Sequence, residues 1–123
     1  MLSVLDKNTV SIFLKMARKE IEKNNVYFVG YRTVESNGKE KNAKQALLDI
    51  GINNLKEIWS HIKTLEVDDC FRISKDRDLK RDNNAEMFEF KKTINKKNVY
   101  IKLTINERGL LCLSFHLDNN GGN

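Results

Sequence analysis

The sequence contains no proline, only two cysteines and two histidines, and no internal repeat. The cysteines, Cys70 and Cys112, lack the CxxC spacing, and two cysteines allow one disulfide at most. The histidines, His61 and His116, show no zinc-ligand spacing with each other or with the cysteines. We therefore expect no metal site and no cofactor.

A second absence concerns membranes and export. Crossing a bilayer takes about 20 consecutive apolar residues, and no stretch of this chain approaches that length. The first residues, Met1–Asp6, also lack the basic start and the long apolar stretch of a signal peptide. We expect a cytoplasmic protein that does not bind a membrane and whose two cysteines are reduced thiols.

The length of 123 residues corresponds to one domain, since compact domains cluster near about 100–150 residues. Apolar residues make up 40% of the chain and charged residues 32%, which is typical of a small domain with a heavily charged surface. We expect a single domain over residues 1–117. The tail at 118–123 contains only Asp, Asn and Gly, and we expect it to be disordered.

The basic residues are concentrated in one segment. The chain carries 22 Lys and Arg against 17 Asp and Glu, a net charge of +5. Residues 72–102 contain ten Lys and Arg and five Asp and Glu, and the rest of the chain contains twelve of each sign. A localised basic patch favours a polyanion, an anionic lipid surface or an acidic protein as partner. The alternative is a solvated, lysine-rich surface.

Helical periodicity predicts three helices in the N-terminal half of the chain. Asp6 or Asn8 can cap the start of the first helix, and its apolar residues are expected in the core. These apolar residues are Ile12, Phe13, Met16, Ala17 and Ile21. The second helix covers Ala43–Ile50 and the third Leu55–Leu65, and a short strand is expected near 26–31.

The second half of the chain alternates apolar and polar residues with period two, which is typical of strands. Three strands are expected: Glu86–Lys92, Val99–Ile105 and Leu110–His116. Short turns separate them, so they form an antiparallel meander, and the predicted fold class is α+β. Before them, Ser74–Asn84 is expected to be a charged loop.

The hydrophobic pattern sets the register of these strands, because a slip of one residue turns every side chain to the opposite face. In the last hairpin, pairing Ile101 with Phe115 places the apolar residues of both strands on one face. This register leaves a three-residue loop, Glu107–Gly109, with glycine where a left-handed residue is favoured. In the preceding hairpin, the expected register places Glu89 opposite Thr104 on the polar face.

The other face of the predicted meander gathers polar residues. Tyr100 falls opposite His116, Lys102 falls opposite Ser114, and Lys91 falls opposite Lys102. Two lysines directly opposite each other repel. This face is therefore either an ordinary solvated surface or a site that binds an anion between its lysines.

With a phosphodiester as that anion, these residue types suggest RNA cleavage. Histidine changes charge near neutral pH, whereas lysine or tyrosine acts as a base only when its pKa is depressed. One group would remove the proton of the ribose 2′-hydroxyl, and a second would protonate the leaving 5′-oxygen. Lysine or arginine would stabilise the charge on the phosphorus oxygens. DNA lacks the 2′-hydroxyl, so this metal-independent chemistry would select RNA.

Five blocks of the sequence resemble segments of the MqsR family of bacterial toxins. They are Lys41–Gly51, Leu65–Asp69, Ala85–Lys91, Val99–Leu103 and Cys112–His116. The resemblance implies a RelE-like α+β fold and an mRNA endonuclease that works alone or with the ribosome. It also implies cleavage by the 2′-hydroxyl without a metal, and neutralisation by a cognate antitoxin encoded by an adjacent gene.

The resemblance also implies which residues form the site. The family's strand tyrosine falls on Tyr100, and the basic or histidine residue ending its last strand falls on His116. A basic residue after the third helix falls on Arg72, and a polar position on the first strand of the meander falls on Glu89. We expect catalysis by Tyr100, His116, Lys102 and Arg72. RNA contacts are expected from Lys91, Lys92, Glu89 and Ser114.

The chain departs from the family pattern at several positions. Cys70 stands where members often have Tyr, Phe88 stands where they have Trp, and the Gly-Pro expected near Ile73 is absent. Glu89 is acidic where relatives carry an amide or an apolar residue, and a carboxylate beside a phosphate is unfavourable. Two alternatives stay open: a non-catalytic RNA- or protein-binding module of the same fold, and a domain that only sequesters an antitoxin-like protein.

Overall fold

The computed structural model describes residues 2–29, 32–34, 40–75 and 86–118 of the chain. Within these ranges the elements are α1 (Val4–Glu22), β1 (Val26–Phe28), β2 (Arg32–Val34), β3 (Glu40–Asn42), α2 (Ala43–Leu48), α3 (Glu57–Lys63), a 3-10 turn (Val67–Asp69), β4 (Cys70–Lys75), β5 (Glu86–Ile94), β6 (Lys97–Asn106) and β7 (Gly109–Leu117). The predicted α+β class is confirmed, with three helices and a five-stranded mixed sheet in the described part of the chain.

Helix α1 begins at a side-chain cap that the sequence pattern did not indicate. The Ser3 hydroxyl accepts a hydrogen bond from the backbone N–H of Asp6 at 3.1 Å. Asp6 and Asn8, the predicted caps, therefore lie inside the helix. The helix ends before Asn24, whose φ of 59° is left-handed.

The buried face of α1 agrees with the predicted one at Phe13 and Ala17 and differs from it at Ile12 and Met16. Ile12 and Met16 are 60% and 48% exposed. The residues that are buried are Val10, Phe13, Leu14 and Ala17. Both sets recur at helical spacing, so periodicity alone does not choose between them. The ring of Phe13 stacks on Phe88 of β5, with centroids 3.9 Å apart, and this contact turns Ile12 away from the sheet.

Helices α2 and α3 are shorter than predicted. They end at Leu48 and Lys63 rather than at Ile50 and Leu65. Gly51, just beyond α2, has a φ of +88°, which glycine adopts without strain. None of the helices in the described ranges is both long and apolar enough to cross a membrane.

The sheet has the strand order β1-β7-β6-β5-β4. Strands β5, β6 and β7 form the predicted antiparallel meander, and β4 extends it at one edge. At the other edge β1 pairs parallel to β7, for example at Phe28 and Cys112, which confirms the predicted short strand over Val26–Phe28. Strands β2 and β3 form a separate antiparallel pair.

Strand β4 is a correction to the sequence analysis, which predicts no strand there and assigns Ser74 to a charged loop. Cys70–Lys75 pairs with β5, and the pairing is irregular between Cys70 and Arg72, where Phe71 is the extra residue. Such a bulge interrupts the alternation on which strand prediction depends. The rest of the predicted loop, residues 76–84, lies outside the described residues.

The β6–β7 hairpin agrees with the predicted register only in the half that lies away from its turn. Ile101 lies opposite Phe115, as predicted, but Leu103 pairs with Cys112, because the register shifts after Lys102. The turn therefore contains two residues rather than three, and Gly109 pairs with Asn106. The bulge compensates for this shorter turn and keeps Phe115 and Cys112 both buried on the helix side.

Gly109 is required by a close approach between this turn and the segment before β1. A Cβ atom at Gly109 would lie 2.3 Å from the backbone oxygen of Asn25, and the glycine has a φ of +136°. The same Asn25 oxygen accepts the backbone N–H of Leu110 at 3.1 Å. The glycine thus lets β7 start directly beside β1.

The β5–β6 hairpin is shifted by two residues from the predicted register. Its turn consists of Asn95 and Lys96, with φ values of 52° and 67°, which suits the right-handed twist of the strands. Lys91 lies opposite Tyr100, so the predicted pairing of Lys91 with Lys102 is wrong. A shift of two residues leaves every side chain on its predicted face.

The end of the described chain is more ordered than the sequence analysis expects. Asp118, assigned there to a disordered tail, is buried. Its backbone N–H donates to the oxygen of Asn98 at 2.9 Å, and its carboxylate lies 3.4 Å from the ammonium of Lys91. Residues 119–123 lie outside the described residues.

Both cysteines are free and buried, in agreement with the expected reduced thiols. Burial raises the pKa of the Cys70 thiol and of the Cys112 thiol. Thiolates, the reactive form of cysteine, are therefore disfavoured at both positions.

Candidate functional site

The predicted polar face lies on the side of the sheet opposite α1, and two rows of residues cross it from strand to strand. The first row contains Lys91, Tyr100 and His116. The second row contains Arg72, Glu89, Lys102 and Ser114. The predicted pairs Tyr100–His116 and Lys102–Ser114 are confirmed. We call these two rows the outer face.

Glu89 is the centre of a hydrogen-bond network on the outer face. Its side chain is only 2% exposed. Arg72 donates to it from Nε at 2.8 Å and from Nη2 at 2.6 Å. The hydroxyls of Ser74 and Tyr100 donate at 2.8 Å and 2.5 Å. Four donors fill the acceptor sites that a carboxylate offers.

These donors determine the charge of Glu89. Burial by itself would raise the pKa of this carboxyl, but the hydrogen bonds from Arg72, Tyr100 and Ser74 outweigh it and lower the pKa to about 2. Glu89 is therefore ionised throughout the neutral range, and it acts only as a hydrogen-bond acceptor.

The phenol of Tyr100 is shifted in the other direction. Burial and the hydrogen bond to the charged Glu89 raise its pKa well above the ordinary value of 10.0, and the nearby Arg72 only partly opposes this shift. Tyr100 is therefore protonated at neutral pH. A phenol held in this way is a poor base.

The guanidinium of Arg72 is held from one side and open on the other. Its hydrogen bond and its attraction to Glu89 raise the pKa of Arg72, so the group is a permanent cation. The side chain is 60% exposed. Because Nε and Nη2 bind Glu89, the Nη1 edge points away from the carboxylate. That edge offers N–H donors in the planar arrangement that phosphate oxygens accept.

The hydrogen bonding of His116 defines which ring nitrogen can accept a proton. Nδ1 lies 2.8 Å from the backbone oxygen of Leu117. A carbonyl oxygen only accepts, so Nδ1 carries the hydrogen and Nε2 carries the lone pair of the neutral ring. The ring lies 5.3 Å from the ring of Tyr100, centroid to centroid.

The two lysines of the outer face have different surroundings. Lys102 is half-buried in the middle of the sheet, between Glu89 and Ser114. Lys91 is 45% exposed and approaches the carboxylate of Asp118 at 3.4 Å. Its ammonium also lies 4.7 Å from the centre of the Phe71 ring. Lys102 is the cation nearer to the middle of the face, and Lys91 lies at its rim.

One predicted RNA contact lies elsewhere. Lys92 is on the opposite side of β5 from Lys91, because successive side chains of a strand alternate. It pairs with the buried Val99, and its ammonium lies 3.8 Å from the carboxylate of Asp69. Lys92 is therefore not part of the outer face.

Two residues of this site, Phe71 and Ser74, were not among the predicted site residues. Phe71 lies beside Tyr100, with ring centroids 6.1 Å apart, and Ser74 donates to Glu89. Both come from β4, the strand that was not predicted. A strand there would have placed Ser74 beside the meander, but the bulge at Phe71 removes the alternation that signals it.

The arrangement is suited to an anionic ligand. Arg72, Lys102 and Lys91 supply three cations on this face, and His116 supplies an imidazole whose Nδ1 is bound to the oxygen of Leu117. Among the residues that the structure describes, no three His, Cys, Asp or Glu side chains are grouped so as to hold a metal ion.

Comparison with known proteins does not place the chain in a family. No family model matches the sequence, and no curated protein and no solved structure matches it.

Proposed function

We propose that the chain is a metal-independent endoribonuclease that cleaves mRNA, a RelE-like toxin of the kind that the MqsR family represents. The observation that carries the proposal is the position of His116, which lies opposite Tyr100 and one row from Lys102. Arg72, from the edge strand β4, is linked to the same Tyr100 through Glu89. The α+β architecture and the five resembling sequence blocks support the family assignment. The proposed partners are mRNA, free or on the ribosome, and a cognate antitoxin.

In the proposed reaction, His116 begins the cleavage. Nε2 of the neutral ring takes the proton of a ribose 2′-hydroxyl, because Nδ1 is bound to the oxygen of Leu117. The 2′-oxygen forms a bond to phosphorus, and the bond from phosphorus to the 5′-oxygen breaks. The products are a 2′,3′-cyclic phosphate and a 5′-hydroxyl. The leaving oxygen takes its proton from the ammonium of Lys102, and exchange with solvent restores both side chains.

Negative charge grows on the two non-bridging oxygens during this reaction, and preorganised cations stabilise it. Arg72 meets these oxygens with its Nη1 edge while Glu89 holds the other edge. A carboxylate directly beside a phosphate would repel it. In this proposal the Glu89 carboxylate does not meet the phosphate, because it is buried and bound to the guanidinium that does. Lys91 and Ser114 contact the strand on either side.

The test uses the two histidines of the chain as a matched pair. The wild type, His116→Ala and His61→Ala are incubated with RNA in EDTA, with and without ribosomes. His61 lies on α3, so we expect its variant to cleave like the wild type and to yield cyclic phosphate ends. Loss of a proton-transfer group costs about 100-fold or more in rate, which we expect for His116→Ala.

Two results contradict the catalytic proposal. One is the absence of product from the wild type under all conditions, and the other is equal cleavage by both histidine variants. RNA binding with a steep salt dependence and no product would instead support the alternative, a non-catalytic RNA-binding module. Growth arrest on expression, relieved by His116→Ala and by coexpression of a cognate antitoxin, would support the toxin assignment.

A further inference from the structure

Tyr100 has a single hydroxyl hydrogen, and that hydrogen is already engaged. It is donated to Oε1 of Glu89, with the two oxygens 2.5 Å apart. A carboxylate has no hydrogen to give in return, so the direction of this bond is fixed. The phenol oxygen can therefore only accept further hydrogen bonds. Arg72 is one neighbouring donor, and a ligand hydroxyl could be another.

The carboxylate that holds this hydrogen is itself held in place. Arg72 binds it through two N–H groups from β4, and Ser74 binds it through its hydroxyl. The side chain is 2% exposed, so water does not compete readily for it. Glu89 therefore sets the direction of the Tyr100 hydroxyl before any ligand arrives.

We propose that Tyr100 recognises a ribose 2′-hydroxyl by accepting its hydrogen, and that Glu89 is the positioning residue that makes Tyr100 an acceptor. A phosphodiester oxygen carries no hydrogen and cannot form this bond, whereas a 2′-hydroxyl can donate. The hydroxyl recognised belongs to the ribose next to the one attacked, because the hydrogen of the attacked hydroxyl goes to His116. This inference rests on the proposed function for its substrate class, an RNA strand.

The experiment compares binding of three single strands of one sequence, made of ribose, of 2′-deoxyribose or of 2′-fluororibose. The fluoro strand keeps an RNA-like sugar but has no 2′-hydrogen to donate. All proteins carry His116→Ala, so that the ribose strand stays intact. Affinity is measured for this background and for the same background with Tyr100→Phe, Glu89→Met or Tyr27→Phe.

The measured quantity is the ratio of ribose affinity to fluoro affinity, which a uniform loss of affinity for both strands does not change. One hydrogen bond corresponds to a ratio of about 5 to 10. We expect that ratio in the background and in Tyr27→Phe, whose tyrosine is exposed on β1. In Tyr100→Phe the acceptor is gone, so the ratio should fall to about 1. In Glu89→Met the phenol hydrogen is free to turn towards the ligand, so the ratio should fall below that of the background.

The outcomes separate this inference from the proposed function. A ratio near 1 in the background, or an unchanged ratio in Tyr100→Phe, would overturn the 2′-hydroxyl contact even if the wild type cleaves RNA. An unchanged ratio in Glu89→Met would overturn the positioning role of Glu89. A ratio that depends on Tyr100 in a protein without nuclease activity would uphold the inference and refute the cleavage proposal.

Discussion

The carboxylate of Glu89 lies buried beneath the guanidinium of Arg72, which donates to it from Nε at 2.8 Å and from Nη2 at 2.6 Å. This pair joins the edge strand β4 to β5, and Tyr100 joins the same carboxylate from β6. Three adjacent strands are thus connected by side chains as well as by backbone. The charge and orientation of the outer face depend on this one carboxylate.

The first prediction concerns acid stability. Glu89 has a pKa of about 2 in the fold against 4.5 for an ordinary glutamate. A carboxyl with a lowered folded pKa stabilises the protein above its unfolded pKa, and this contribution is lost as the pH falls through the folded value. Relative to Glu89→Gln, the wild type should be about 3 kcal/mol more stable at pH 7, and this difference should shrink between pH 4.5 and 2.

Urea unfolding at several pH values measures this difference. The matched control is Glu107→Gln, because Glu107 is an exposed glutamate in the β6–β7 turn. We expect its unfolding free energy to follow that of the wild type within about 0.5 kcal/mol. A difference between wild type and Glu89→Gln that stays constant from pH 7 to pH 2 would contradict the lowered pKa.

The second prediction concerns the alkaline titration of tyrosine. The pKa of Tyr100 is raised above 10.0 by burial and by Glu89. Part of the tyrosinate absorbance should therefore appear late in a titration of the wild type and be missing from Tyr100→Phe. The folded pKa exceeds the unfolded one, so this stabilising contribution is present below pH 10 and is lost as the pH rises further. The raised pKa of Tyr100 would be refuted if the absorbance missing from Tyr100→Phe were spread evenly over the whole titration and not confined to its late part.

The third prediction separates two lysines that the sequence analysis groups together. Lys102 lies on the outer face, whereas Lys92 lies on the other side of the sheet beside Asp69. In a His116→Ala background, Lys102→Ala should weaken binding of single-stranded RNA and lower the slope of log affinity against log salt by about 1. Lys92→Ala should leave that slope unchanged. A slope that is lowered by Lys92→Ala and unchanged by Lys102→Ala would show that RNA does not bind to the outer face.

The fourth prediction tests which face of α1 is buried. Phe13 is buried and stacks on Phe88, so Phe13→Ala should cost about 3–5 kcal/mol of unfolding free energy. Its neighbour Ile12 is 60% exposed, and Ile12→Ala should change the stability by no more than about 0.5 kcal/mol. Urea unfolding of both variants at pH 7 measures the contrast. A similar loss of unfolding free energy in the two variants would contradict the burial of Phe13 and the exposure of Ile12.

The meander and the opposition of Tyr100 and His116 could be predicted because apolar residues alternate along β6 and β7. The register of β5 could not, since a shift of two residues preserves the alternation and only the turn at Asn95 decides it. The hydrogen-bond network around Glu89 could not be predicted from the sequence either. Two of its donors, Arg72 and Ser74, belong to a bulged edge strand whose pattern does not signal a strand.

The buried face of α1 could also not be predicted from the sequence pattern alone. The apolar set containing Ile12 and Met16 and the set containing Val10 and Leu14 both satisfy helical spacing. Only the position of the sheet distinguishes them, and that position depends on contacts between distant parts of the chain. Local pattern therefore predicts which elements form more reliably than it predicts how they are turned.

The parallel pairing of β1 with β7 has a consequence for the order of folding. Strands β5, β6 and β7 are joined by two-residue turns, so their pairing closes only short loops. Pairing Val26 with Leu110 must close a loop of more than eighty residues, which costs more entropy and slows this step. We expect the hairpins that carry Glu89, Tyr100 and His116 to form early and the β1 edge to form last. Pulsed hydrogen exchange during refolding would then protect β6 before β1.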